Sequence, residues 1–90
     1  VTRDLAVVVK DEVTAYQLMA EIKVQGGGLL KDIEIFDLYK GNQIQEGYKS
    51  IAFSLVFQAQ DRTLTDAEIN EIHGNIQKAL ADKFAASLRA

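Results

Sequence analysis

Cysteine and proline are both absent from these ninety residues, histidine occurs once, and neither sign of charge dominates. Each absence excludes something. Without cysteine there is no disulfide framework, no thiolate metal site and no cysteine nucleophile. No apolar run approaches the roughly 18 residues that cross a bilayer, so no membrane partner is expected. Val1-Thr2-Arg3-Asp4 lacks the apolar core of a signal peptide, which points to a cytoplasmic protein. The chain also lacks an initiator methionine and reads as a piece of something longer. Ten Lys and Arg stand against thirteen Asp and Glu, a net charge of −3. Tight nonspecific binding to nucleic acid rests on phosphate neutralisation, for which a mildly acidic chain is poorly suited. What is present, 48% hydrophobic and 26% charged residues, belongs to a folded globular protein. The length suits one domain, 1–90, which buries about 60–65% of its unfolded surface and has room for one modest core.

Residues 4–10 form a β-branched run and read as a strand. Ala15, Leu18, Met19 and Ile22 follow at helical spacing, with Thr14 as the cap and Gln17 three residues later. Gly26-Gly27-Gly28 stops that helix. Residues 29–40 read as a second strand, 41–47 as a hairpin loop and 49–60 as the most cleanly alternating strand. Thr65-Asp66-Ala67-Glu68 is a capping box, and Leu64 with Ile69 can form a hydrophobic staple. Ile69, Ile72, Ile76, Leu80 and Phe84 continue the stripe of a second helix, and 85–90 remain for a last strand. The interior Gly74 would be justified by close helix–helix approach. The order βαββαβ predicts an α+β, ferredoxin-like fold: a four-stranded antiparallel sheet, order 4-1-3-2, with both helices on one face.

Function is therefore expected on the open face of the sheet. In 49–60 the bulky Ile51, Phe53, Leu55 and Phe57 share one parity and Ser50, Ala52, Ser54 and Val56 the other, so the small set faces outward. In the first strand Leu5, Val7 and Val9 point inward, and Asp4, Ala6 and Val8 outward. The same alternation directs Leu30, Phe36 and Leu38 inward and Ile33, Ile35, Asp37 and Tyr39 outward. In the last strand it directs Phe84, Ala86 and Leu88 inward and Ser87 and Arg89 outward. The open face is then a floor of small residues ringed by an aromatic, a carboxylate, hydroxyls and a guanidinium. A tyrosine π-face can stack a base, while a carboxylate and a hydroxyl can read the base edge. The same pattern also arises where an exposed face merely tolerates small residues. Two outward isoleucines, 33 and 35, would suggest a neighbour covering part of the face.

Four segments in order carry a resemblance: Arg3-Asp4-Leu5-Ala6-Val7-Val8-Val9, Phe36-Asp37-Leu38-Tyr39-Lys40-Gly41, Gly47-Tyr48-Lys49-Ser50-Ile51-Ala52-Phe53 and Arg62-Thr63-Leu64-Thr65-Asp66-Ala67-Glu68. Together they resemble the ferredoxin-fold anticodon-binding domain that closes the β subunit of bacterial phenylalanine–tRNA ligases. The resemblance implies a domain that is not itself catalytic, binds the anticodon stem-loop of phenylalanine tRNA and needs no cofactor of its own. Its partners would be the rest of the β subunit and the α subunit, with ATP and magnesium used by the parent enzyme. Carried over residue by residue, it implies anticodon contacts at Asp37, Tyr39 and Ser50, with Ala6 and Arg89 at further face positions. Tyr39 would stack the first anticodon base, and Asp37 and Ser50 would read its edge. The family often has proline where this chain has Gln45 and Thr14, which implies a more mobile hairpin here.

Other roles stay open beside these. Arg89 could pair with Asp4. Lys40 and Lys49 flank the hairpin and could meet the RNA backbone or be solvated charges. His73 reads as a helix-flank residue. Gly26-Gly27-Gly28 with Lys31 lacks P-loop spacing, and no nucleophile–base or metal-ligand constellation appears. A metal chaperone of this fold would need cysteine. An acylphosphatase-like enzyme would want an Arg where Lys10-Asp11-Glu12 stands. The remaining alternative is a ferredoxin-like small-molecule-binding or dimerising regulatory domain.

Overall fold

Thr14 and Thr65 each precede an apolar helical stripe, and both cap a helix in the computed structural model, which describes residues 1–88. The Thr14 hydroxyl accepts the Gln17 amide at 3.1 Å, and the Gln17 side chain accepts the Thr14 amide at 2.9 Å. Helix α1 runs Ala15–Gly26 from this box. It stops because Gly27 takes φ 61°, a left-handed value that favours glycine, and one 3-10 turn follows. Helix α2, Asp66–Phe84, opens on the same device: the Thr65 hydroxyl accepts the Glu68 amide, and the Glu68 carboxylate accepts the Thr65 amide, both at 3.2 Å. Leu64 and Ile69 are both buried in the core at that corner. Ala85 ends α2 with φ 54°, so Phe84 closes the helix rather than opening the last strand.

The strands are β1 Thr2–Lys10, β2 Leu30–Tyr39, β3 Tyr48–Phe57 and β4 Ser87–Leu88, all antiparallel in the order β2-β3-β1-β4. This is the expected 4-1-3-2 sheet, with β2 on an edge. Leu5, Val7 and Val9 of β1 and Ile51, Phe53, Leu55 and Phe57 of β3 are buried against Leu18, Ile22, Ile69, Ile76 and Leu80, so both helices cover one face. Across the helix pair, Lys83 Nζ donates to the nearly buried Glu21 carboxylate at 2.9 Å, and Gln25 adds a second donor at 2.8 Å. Those two donors, Gln25 first, hold the Glu21 carboxyl below its ordinary pKa.

Strict alternation fails along β2. The ladder with β3 shifts register between Leu30 and Asp32 and again between Ile35 and Asp37, so Lys31 and Phe36 are extra residues on the β2 side. A bulge of one residue exchanges the two faces for everything beyond it. Ile33 lies opposite Leu55 and is buried in the core, whereas Ile35 lies opposite Phe53 on the helix side but is 42% exposed at the sheet edge. The outward placement of Ile33 and Ile35 and the inward placement of Phe36 are thereby corrected. The two bulges cancel, so Leu30, Leu38, Asp37 and Tyr39 keep their expected sides in the ladder, but Leu38, expected inward, is 63% exposed on the edge strand. Leu88, opposite core Val7, is 52% exposed because β4 is short and lies on the far edge. Gly74 has no helix–helix contact to justify it: it is exposed, and a Cβ there would meet nothing within 4 Å.

Candidate functional site

Register across the three long strands assembles the open face in rows. One row reads Tyr39, Ser50, Val8, Ser87, and the next Asp37, Ala52, Ala6. Four of the expected site residues, Asp37, Tyr39, Ser50 and Ala6, therefore sit in two adjacent rows at the end of the sheet nearest the β2–β3 hairpin. Arg89, and with it the expected pairing to Asp4, lies outside the described residues.

Burial differentiates these side chains. Asp37 is exposed and Tyr39 half-buried, whereas Ala52 is 8% and Ser50 only 2% exposed. Ser50 is flanked on the face by Tyr39 and Val8 across the ladders and by Tyr48 and Ala52 along its own strand. A ligand reaches its hydroxyl only if one of those neighbours moves. The ring of Tyr39 runs along the strand towards the hairpin, where its phenol end lies over Gly41.

The hairpin, residues 40–47, is tied to the β1–α1 turn through Asp11. Lys40 Nζ pairs with the Asp11 carboxylate at 2.6 Å, Lys49 Nζ donates to the Asp11 carbonyl at 3.1 Å, and the Asp11 amide donates to the Gly47 carbonyl at 2.9 Å. Both flanking lysines thus converge on one residue that the sequence presented only as a turn. Exposed ion pairs of this kind are worth about 0–1 kcal/mol, so a phosphate can compete for Lys40 at little cost.

Two further rows were hidden by the bulges. Glu34, Ser54 and Asp4 form one, and Asp32, Val56 and Thr2 the next. The open face is consequently polarised, with Tyr39, Tyr48 and Lys10 at the hairpin end and carboxylates of Asp4, Asp32 and Glu34 away from it, while Lys49 lies opposite core Val9 on the helix side. A planar group with amino or imino edges could stack at Tyr39 and donate to Asp37. A phosphate backbone laid along the acidic rows would be repelled.

Comparison with known proteins places this geometry in context. The family model described as the ferredoxin-fold anticodon binding domain matches residues 1–89. The chain is 46% identical over 89 residues to the phenylalanine–tRNA ligase beta subunit of Clostridium tetani, covering 99% of this chain and 11% of that protein. It is 51% identical over 89 residues to the corresponding subunit of Moorella thermoacetica, again 99% of this chain and 11% of that protein. Against the Bacillus subtilis subunit the figure is 46% over 89 residues, with the same coverages. The chain thus spans 11% of the length of these relatives.

Proposed function

Because the chain belongs to the ferredoxin-fold anticodon binding domain family, we propose that it is the anticodon-reading module of a phenylalanine–tRNA ligase beta subunit. Its role is recognition, with Tyr39 stacking a base of the anticodon loop and Asp37 accepting from an amino or imino group on that base's edge. Ala6 and Ala52 leave room for the ring beneath, and Ser50 contributes its hydroxyl once the tyrosine end of its row yields. Lys40 and Lys49 meet the RNA backbone by exchanging Asp11 for phosphate. Arg89 stays a proposed contact on the strength of the resemblance alone. The observation that carries this reading is the adjacency of Tyr39 and Ser50 in one row with Asp37, Ala52 and Ala6 in the next.

Chemistry on this reading belongs to the rest of a larger enzyme. Partners are the phenylalanine tRNA anticodon stem-loop, the remainder of the beta subunit and an alpha subunit, in the cytoplasm. ATP and magnesium would serve that enzyme. Among the described residues no three of His, Cys, Asp and Glu come together as a metal site requires, and base reading involves neither group. No helix among the described residues is long and apolar enough to cross a membrane. A regulatory domain dimerising through its sheet loses one of the two isoleucines that favoured it, since Ile33 is part of the core, and keeps the exposed Ile35 on the edge strand.

Chemical-shift mapping of the 90-residue chain with an anticodon stem-loop RNA tests the proposal. Shifts centred on Asp37, Tyr39 and Ala52 are expected, and shifts confined to α1 and α2 would overturn it. In the whole ligase, Tyr39→Ala should weaken tRNA recognition by roughly 1–3 kcal/mol, the usual value of one base–aromatic stack. Asp37→Ala should cost more discrimination at one anticodon base than overall affinity. Equal losses on cognate and anticodon-swapped tRNA would contradict edge reading.

A further inference from the structure

We propose that Asp11 is a built-in competitor for RNA phosphate: its carboxylate occupies Lys40 in the free chain and limits how much affinity the RNA backbone can add. The inference rests on the reading of this end of the sheet as the anticodon-loop site and adds what restrains its phosphate contact. Asp11 makes three contacts across the cleft between the β1–α1 turn and the hairpin, and they differ in kind. Its amide donates to the Gly47 carbonyl at 2.9 Å, and its carbonyl accepts from Lys49 Nζ at 3.1 Å. Both use the backbone of residue 11 and join turn to hairpin whatever its side chain. Only the third contact, the carboxylate on Lys40 Nζ at 2.6 Å, requires residue 11 to be acidic.

That third contact is placed to exchange rather than to hold. The Lys40 side chain is 58% exposed and that of Asp11 40%, so a phosphate can reach the ammonium. Lys40 directly follows Tyr39, so the phosphate it meets belongs to RNA bound at the hairpin end. An ammonium has three donors and could meet carboxylate and phosphate at once, but two anions then share one positive charge. If Lys40 turns fully to the phosphate, Asp11 is left as an anion beside it. Either way the site offers the RNA a net charge near zero. A lone lysine that neutralises a phosphate releases a counterion, which is why such contacts weaken with salt. The Asp11 carboxylate retains a cation in its place, and the salt dependence of this contact is cancelled. Glu46 lines the same cleft without an ion pair to Lys40 among the described residues, and so supplies a comparison.

The test is the anticodon stem-loop affinity of the 90-residue chain, measured by NMR titration over a series of salt concentrations. Asp11→Asn keeps the shape of the side chain and both backbone contacts, and removes only the charge. It should tighten binding about two- to fivefold at low salt, the range that an exposed pair can supply. It should also steepen the fall of log affinity with log salt by up to about 0.7, the value for one phosphate contact on a single strand. The gain should be equal on cognate and anticodon-swapped stem-loops, since phosphates carry no sequence information. In a Lys40→Gln background Asp11→Asn should leave the slope unchanged, because the pair is already gone. Glu46→Gln should change the slope by less than half as much as Asp11→Asn. An unchanged slope in Asp11→Asn would overturn the inference. Equal steepening in the Lys40→Gln background, or in Glu46→Gln, would overturn it too, by making Asp11 one charge in a general field. A gain confined to the cognate stem-loop would place the effect on base reading and contradict it. Loss of the thermal transition in Asp11→Asn would do the same, since the inference requires the pair to be dispensable for folding. Tyr39→Ala, measured alongside, separates this from the stacking reading. Weakened binding there with no change of slope in Asp11→Asn overturns the inference and leaves stacking standing. Full affinity there refutes stacking, while the slope still decides the exchange at Lys40.

Discussion

Gly74 stands inside α2, exposed, where a Cβ would touch nothing, and helix interiors disfavour glycine because its unfolded backbone has more freedom to lose. Gly74→Ala should therefore raise stability by about 0.5–1 kcal/mol, read as a shift of the urea midpoint without change in slope. A neutral or destabilising result would mean that the bare surface there is occupied by something in the folded protein. Simple alternation puts Tyr39 and Asp37 on the open face, and the structure agrees because the two bulges of β2 cancel before Asp37 is reached. Ser50 was placed there too, but its 2% exposure was not legible, since burial depends on neighbours in three strands.

The start of α2 shows how an element can carry family likeness without carrying function. Arg62, Thr65 and Glu68 close a local network in which Arg62 pairs with the Glu68 carboxylate at 2.6 Å and Thr65 donates to it from amide and hydroxyl. Arg62 foremost, then Thr65, hold the Glu68 carboxyl down from 4.5 to about 2, and the same pairing raises Arg62. A carboxyl depressed in the folded state contributes stability that is fully present above its ordinary value and is lost as pH falls through the folded one. Glu68 should thus stabilise the chain above pH 4.5 and cease to do so as pH falls towards about 2. Glu21, lowered by Gln25 and Lys83, acts in the same direction. Glu68→Gln should lower the urea midpoint at neutral pH and shrink its fall between pH 5 and pH 2, with Glu21 responsible for part of what remains. An acid-induced fall as large as in the unaltered chain would show that the network is not maintained in solution. Both capping boxes were legible because their spacing is fixed by one helical turn. The bulges in β2 were not: Lys31 and Phe36 each insert a residue without any glycine to mark it, and Ile33 was consequently assigned to the wrong face.

For the whole molecule, the net charge of −3 is less informative than where the charges lie. Carboxylates of Asp4, Glu34 and Asp32 line the rows of the open face farthest from the hairpin, while Lys10 lies opposite Tyr48 at the hairpin end and Lys40 and Lys49 meet Asp11 beside it. RNA approaching this face should be turned so that its backbone passes the hairpin and only a base or two reaches the floor. Binding built from so few contacts, at about 1–3 kcal/mol each, reaches micromolar affinity at best. Such a module needs a larger partner to raise its effective concentration. The acidic rows can be tested as an orienting field. At about 10 Å in water a unit charge pair is worth roughly 0.4 kcal/mol, so the triple change Asp4→Asn, Asp32→Asn, Glu34→Gln should tighten stem-loop binding by about eightfold in dilute buffer. The gain should fade towards physiological salt, where the screening length is about 8 Å. Discrimination among anticodon bases should fall at the same time, because the backbone is then free to lie along the sheet as well as across its end. If affinity instead drops in the triple variant, these carboxylates are themselves reading bases and the footprint extends to the acidic rows. That outcome would move the site from the hairpin end to the whole open face.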